Sequence, residues 1–238
     1  MEGKGMVDFD AIRAEFPILD QSVHGHPLVY LDSAATAQKP RCVIDAEADF
    51  YRHDNAAVHR GAHELAARST VAFERARASM ARLVGACADE GGEEIVVTGG
   101  ATAGLNLLAT AFGNASLGRG GSAAARFALH PGDEIMVSKA EHHSVLLPFQ
   151  ELAARTGATL KWLDLDEEGR IRSDMADEVI TERTRVVAVT HVANVTGAIT
   201  DLGPIVRRAH AVGALVVLDA CQSVPHLKVD VHALDVDF

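Results

Sequence analysis

The stretch "LVVLD" sets an acid, Asp219, directly behind a run of apolar residues. An unpaired carboxylate at the mouth of a buried strand is costly to desolvate, so it calls for a cation or several donors. A protonated pyridine nitrogen is one such cation; the alternative is an acid that caps the turn that follows. Three other stretches carry complementary chemistry. "VTGGATAG" sets two glycines and Thr102 between a strand and a helix, the way a backbone approaches and hydrogen-bonds a phosphate, although purely structural Gly-rich turns look the same. "KAEHHSVLLPF" supplies His142 and His143, and a flat imidazole can lie against a flat ring. "VTHVANVTG" offers Asn194, either a neutral donor to a phenolic oxygen or an Asn in the turn before Gly197, and Gln222 follows Asp219 closely. Thr102 for a phosphate, His142 for a ring face, Asn194 and Gln222 for a ring oxygen and Asp219 for a ring nitrogen together draw the outline of pyridoxal phosphate.

Other chemistries lose ground. Neither G-x-G-x-x-G nor G-x-x-x-x-G-K-[ST] is present, which argues against a dinucleotide or P-loop site. Adjacent His142 and His143 cannot both face one metal from a regular element, and His59 and His63 in "HRGAH" have no third ligand nearby in sequence, so no metal is expected. Cys42, Cys87 and Cys221 are widely spaced without a C-x-x-C pair, against a disulfide framework or a zinc site. Cys221 stands beside Asp219, whose charge raises a thiol pKa, and reads as a buried small hydrophobe rather than a nucleophile. The net charge of −11, with no basic run longer than Arg207 and Arg208, speaks against nucleic acid and anionic membranes and for a small-molecule partner. No apolar stretch reaches the roughly 18 residues of a membrane span. The N-terminus "MEGKGMVDFDAIRAEFP" lacks a signal-peptide core, so a cytoplasmic location is expected.

The elements that must position these residues follow from hydrophobic period. "EIVVTG" (94–99), "EIMVS" (134–138), "TLKWL" (159–163), "RVVAVTH" (185–191) and "ALVVLD" (214–219) read as strands, several apolar on both faces as strands covered twice must be. "ATAGLNLLATAF", "VLLPFQELAARTG", "SDMADEVITE" and "LGPIVRRAHAVG" read as the intervening helices, the second and fourth closing on Gly157 and Gly213. This order is α/β with a mainly parallel sheet, helices on both faces, and its site at the carboxyl ends of the strands. Residues 91–238 form that domain, and residues 1–90 an N-terminal extension packing on it, with a short strand "LVYLD", a loop "SAATAQKP" and a long helix from Glu64 to Val84. "GNASLGRGGSAAARFALHPG" (113–132) reads as a flexible surface insertion.

The stretches "YLDSAATAQKP", "NAAVHRGAHELAARST", "AEHHSVLLPFQELAARTGA", "TRVVAVTHVANVTGAI" and "VVLDACQSVPHLKVDVHALDVDF" resemble, in order, those of the class V aminotransferase-fold cysteine desulfurases, most closely the Suf-type enzymes. The resemblance implies a fold-type I pyridoxal-phosphate enzyme. It implies a homodimer that takes sulfur from L-cysteine as an enzyme-bound persulfide, leaves L-alanine, and feeds iron–sulfur cluster assembly through a sulfur-acceptor protein of the Suf system. By motif position, Thr102 binds the phosphate, His142 stacks on the pyridine, Asn194 and Gln222 contact the ring oxygen, and Asp219 pairs with the ring nitrogen. His59 and Arg60 lie near the active site at the dimer interface, and His142 and Asp219 are the catalytic members.

The chain departs from the family pattern in three places. The family usually has "GTTEG" where this chain has "GGATAG", so Ala101 and Ala103 replace a hydroxyl and a carboxylate. Cys221 replaces a small residue. The family's "SGHK" lysine, which forms the Schiff base, and its persulfide cysteine are expected beyond Phe238, with the C-terminal domain. A Schiff-base lysine must reach the ring face opposite the stacking residue. Lys139 is on the loop of His142 itself, Lys228 follows the turn at Pro225 away from the cofactor, and Lys4, Lys39 and Lys161 are farther from the strand ends. The expectation is therefore an N-terminal fragment of a desulfurase, inactive alone. Selenocysteine lyase or another class V activity is the nearest alternative, and a non-catalytic remnant or pairing subunit the alternative of a different class.

Overall fold

The computed structural model describes residues 7–87 and 92–238. Two compact units make up the chain, Met1–Ala76 and Arg77–Phe238, a division that falls at residue 76 where the sequence reading draws it at 90. In the first unit, α1 (Phe9–Ala14) starts at Asp8, whose carboxylate accepts from the Ala11 N–H at 3.0 Å. Two-residue strands β1 (Ser22–Val23) and β2 (His26–Pro27) form a hairpin, followed by α2 (Arg41–His53) and the start of α3 (Glu64–Val84). "LVYLD" is not a strand. Leu28 at its start donates its N–H to the Gln21 carbonyl at 3.0 Å, but no strand among the described residues pairs with residues 29–32, and Val29 and Leu31 are 73% and 92% exposed: β-forming residues alone do not hold a strand without a ladder partner.

The second unit holds the sheet. After α4 (Ala101–Ser116) come β3 (Glu134–Ser138), α5 (His143–Thr156), β4 (Thr159–Leu163), α6 (Ala176–Val179), β5 (Thr184–Thr190), α7 (Leu202–Ala211), β6 (Leu215–Asp219) and α8 (Val231–Leu234). The four strands lie in the order β4-β3-β5-β6, all parallel, and β5 and β6 end level, Thr190 opposite Asp219. Successive residues of a strand serve opposite faces. Ile135, Val137, Val186, Ala188 and Val217 pack with Leu105, Phe112 and Phe149 of α4 and α5. Their neighbours Met136, Val187, Val189 and Val216 pack with Leu202, Ile205 and Ala209 of α7. α5 follows β3 and α7 follows β5 as crossovers to parallel strands, so both start at the sheet's carboxyl edge. Among the described residues no helix is long and apolar enough to cross a membrane.

Three expectations need correction. "EIVVTG" is not a strand: a turn at Gly92–Glu94 leads into extended chain that pairs with no strand among the described residues, and Val96 and Val97 are 71% and 49% exposed. It is held instead through Arg77, whose guanidinium donates to the carbonyls of Ile95 and Gly92 at 3.1 and 3.0 Å. The 113–132 stretch is better ordered than its Gly and Ser content suggests. A 3₁₀ turn, Ser122–Phe127, stacks Phe127 on Phe112 at 5.8 Å between ring centroids, with Phe238 edge-on to both, and Leu129 is buried. The helix expected in "SDMADEVITE" shrinks to a 3₁₀ turn and one α-turn, because Thr181 leaves the helical path to donate its hydroxyl to Glu134 at 2.6 Å.

Glu134 itself is fully buried at the amino end of β3, with the Arg183 guanidinium at 2.9 Å and Lys161 at 3.9 Å. Burial pushes its carboxyl up, but the Thr181 hydroxyl, Arg183 and Lys161 outweigh burial and hold it below the ordinary value. A depressed carboxyl contributes stability that is present above the unfolded-state value and lost as pH falls through the folded one. Denaturant unfolding at pH 7 and at stepwise lower pH is expected to show a stability decline below pH 4.5 that is shallower in Glu134→Gln; identical slopes contradict this. The ion pair's share is small, since Arg183 is largely exposed.

Candidate functional site

The segment "TGGA" enters α4 through Gly100, whose φ of +133° only glycine adopts without strain. Gly100 provides no side-chain cap, so the first-turn N–H groups of α4, the helix's positive end, have no capping oxygen there. A Cβ built on Gly99 or Gly100 meets no atom within 4 Å, so the space before the helix is open. Thr102 stands in this first turn, exposed.

His142 is the N-cap of α5. Its Nδ1 accepts from the Ser144 backbone N–H at 3.1 Å and meets the Ser144 hydroxyl at 2.8 Å. With Nδ1 accepting, the neutral ring carries its proton on Nε2. Thr102 and His142 line one cleft of about 390 Å³ between the N-terminal ends of α4 and α5, with Asn106, His143, Glu151 and Arg155.

Asp219 closes β6 and is 8% exposed. Its Oδ1 accepts from the Cys221 N–H at 3.0 Å, so part of the strand-end capping role is present, donated by the turn that also carries Gln222. Cys221 is exposed, not the buried hydrophobe expected, because that turn lifts it off the strand; partial burial of the thiol and the Asp219 charge push it up to about 11. Asn194 is exposed in the turn after β5, where Gly197 takes a φ of +70°. His59 and Arg60 belong to the first unit; there the His59 imidazole meets Glu74 at 2.8 Å and both residues are exposed. Among the described residues no cluster of His, Cys, Asp and Glu has metal-holding geometry.

Sequence reasoning missed the polar residues that tie these strand ends together. Glu141 accepts from the Thr190 N–H at 2.9 Å and from the Ser138 hydroxyl. The backbone N–H of His191 donates to the Asp219 carbonyl at 2.9 Å, and the buried Nδ1 of its ring finds no partner among the described residues. The signal was available: the imidazole stands one residue beyond β5, in "VTHV", and the acid three residues beyond β3, in "KAEHH".

The profile described as "Aminotransferase class-V" matches residues 29–238. The chain belongs to the class V aminotransferase family. It is 47% identical over 229 residues to a cysteine desulfurase of Dickeya dadantii, covering 96% of this chain and 52% of that protein. It is 45% identical over 227 residues to a cysteine desulfurase of Cronobacter sakazakii, covering 95% and 52%. The crystal structure of the Escherichia coli cysteine desulfurase CsdA in an S-sulfonic acid form superposes with a TM-score of 0.80 at 37% identity, over 98% of this chain and 54% of that one. The chain spans about half the length of the curated relatives it matches. Its donor set fits the family's cofactor: an open, uncapped helix end for a phosphate, an exposed imidazole for a ring face, and a nearly buried carboxylate for a ring cation.

Proposed function

We propose that this chain is the cofactor-binding part of a pyridoxal-phosphate-dependent cysteine desulfurase. The observation that carries the reading is the Asp219 carboxylate, 8% exposed at the carboxyl end of β6 and taking a backbone N–H from Cys221. The relatives' names supply the substrate, L-cysteine. In this reading the first-turn N–H groups of α4 and the Thr102 hydroxyl hold the phosphate, His142 lies on one ring face, Asn194 and Gln222 hold the ring oxygen, and Asp219 keeps the ring nitrogen protonated. When bound, pyridoxal phosphate supplies an electron sink for the bond broken at the substrate Cα. The overall exchange balances without an external oxidant: the Cβ–S bond breaks, the sulfur joins a thiol as a persulfide, and the hydrogens remain with L-alanine. A homodimer with His59 and Arg60 near its interface, a cytoplasmic setting and delivery of sulfur to a Suf-type acceptor for iron–sulfur cluster assembly belong to the same reading.

The 238-residue chain is expected to bind pyridoxal phosphate saturably and to release it on dialysis. Lys139 is paired with Asp164, Lys161 lies 3.9 Å from Glu134, and Lys39 donates to the Ala37 carbonyl at 2.6 Å, so each is engaged elsewhere. After borohydride reduction and digestion, no single lysine is expected to carry a stoichiometric pyridoxyl group, and finding one contradicts this assignment. Binding that is unsaturable, or that Asp219→Asn leaves unchanged, counts against the site itself.

A further inference from the structure

Glu141, the residue before His142, has no role in the reading above, on which this inference rests. One of its oxygens, Oε1, accepts from the backbone N–H of Thr190, the last residue of β5, and from the hydroxyl of Ser138, the last residue of β3. Thr190 stands opposite Asp219, the last residue of β6, in the sheet register. A single carboxyl therefore knots two strand ends immediately beside the third. Its other oxygen, Oε2, is buried and has no hydrogen-bond partner among the described residues. A carboxyl shielded from water at a strand end, with a second carboxyl at the adjoining one, ionises less readily than a carboxyl in water.

We infer that Glu141 is a positioning residue for Asp219: it knots β3 to β5 and stays the uncharged member of a carboxyl pair, leaving Asp219 as the single anion that faces the ring-nitrogen position. Asp219 differs from Glu141 in its surroundings: its Oδ1 takes a backbone N–H from Cys221, and in the proposed site a ring cation faces it. With Oε1 of Glu141 already accepting twice, its proton belongs on Oε2. Burial pushes the Glu141 carboxyl up to about 7; the hydrogen bonds from Ser138 and Thr190 oppose the rise and the Asp219 charge adds to it. The other titratable groups on the surrounding elements do not supply a competing charge partner. Lys139 after β3 is paired with Asp164, His142 and His143 open α5 with His142 committed to Ser144, burial keeps His191 after β5 below its ordinary value, and the Cys221 thiol after β6 is raised.

The test is carboxyl titration by carbon NMR on the 238-residue chain with labelled glutamate and aspartate, the Glu141 resonance being the one lost in Glu141→Gln. Its midpoint is expected near 7 and is expected to fall measurably in Asp219→Asn, an isosteric change that removes the neighbouring charge. Adding pyridoxamine 5′-phosphate, which has the ring and phosphate but no aldehyde to react with stray lysines, is expected to lower the midpoint as well, because a ring cation offsets the Asp219 charge. A midpoint at the ordinary glutamate value, one unmoved by Asp219→Asn, or one unmoved by bound pyridoxamine phosphate overturns the inference. A purely structural Glu141 predicts no response to either change. Ligand binding is read separately by fluorescence quenching, so a pair that responds to Asp219→Asn in a chain that binds no ligand refutes the proposed function while leaving the carboxyl pair established.

Discussion

Asp219→Ala is expected to lower cysteine turnover about a hundredfold or more in a form of this protein that releases sulfur from cysteine, and excess pyridoxal phosphate is expected not to restore it. The reason lies in what the carboxylate faces. Asp219 sits 8% exposed at the end of β6, where its charge acts through little water, and in the proposed site it keeps the ring nitrogen protonated. That proton is what lets the ring take up electrons when the substrate bond breaks, so removing the carboxylate raises the barrier itself as well as losing a charged hydrogen bond of about 1.5 to 3 kcal/mol. Thr102→Ala is the contrast. Its hydroxyl is one donor among several on a phosphate that takes no part in the chemistry, and the first-turn N–H groups of α4 remain after it is gone. A loss of about 1 kcal/mol, or roughly fivefold in cofactor affinity, with turnover preserved at saturation, is the expectation. Turnover measured for both variants across a cofactor titration separates them. Near-normal turnover of Asp219→Ala at saturating cofactor means that Asp219 is only the strand-end cap that its bond from Cys221 already makes it in part.

The parts of this fold that sequence could reveal are those where a local pattern and its tertiary partner agree. β3, β4, β5 and β6 emerged within a residue of their expected limits because each is an apolar run bounded by polar or turn residues and each has a parallel neighbour. Gly157, in the left-handed conformation, ends α5 where its spacing says it should. "EIVVTG" and "LVYLD" are also rich in β-forming residues but have no partner strand among the described residues, and pairing is a long-range property that such a run does not encode. The site shows the same division. Thr102 and His142 at helix starts and Asp219 at a strand end stand where their apolar or Gly-rich neighbours put them, whereas Glu141 was passed over beside two histidines. Its importance comes from Ser138 and Thr190, one of them 49 residues away, and only the folded sheet brings them together. Thr181 made the opposite error visible, since its bond to Glu134 across 47 residues shortens a helix that local spacing favours.

Phe149→Ala is expected to destabilise the second unit by about 3 to 5 kcal/mol, the range for truncating a fully buried aromatic ring. Phe149 is 0% exposed. It lies on the inward stripe of α5 with Val145, Leu152 and Ala153, the i, i+3, i+4 spacing that keeps one helix face on the sheet. Against it stand Ile135 and Val137 of β3, Val186 and Ala188 of β5, and Leu105 and Phe112 of α4, a cluster in which helix and sheet residues surround the ring. Such a wall does not collapse readily into the vacated volume, because the strands are fixed by their ladders and α4 by its own contacts, so the cavity term adds to the lost transfer energy. Leu147→Ala, two residues earlier on the same helix but 53% exposed, is expected to cost less than about 1 kcal/mol. The loss at Phe149 is a large fraction of the roughly 5 to 15 kcal/mol that holds a domain folded. It also reaches the site, since α5 carries His142 at its N-cap and a helix loosened on the sheet no longer fixes that imidazole against the cleft it shares with Thr102. Urea unfolding of both variants followed by circular dichroism measures the difference. Equal midpoints for Phe149→Ala and Leu147→Ala would mean that α5 is not anchored through this ring and that the position of His142 has another cause.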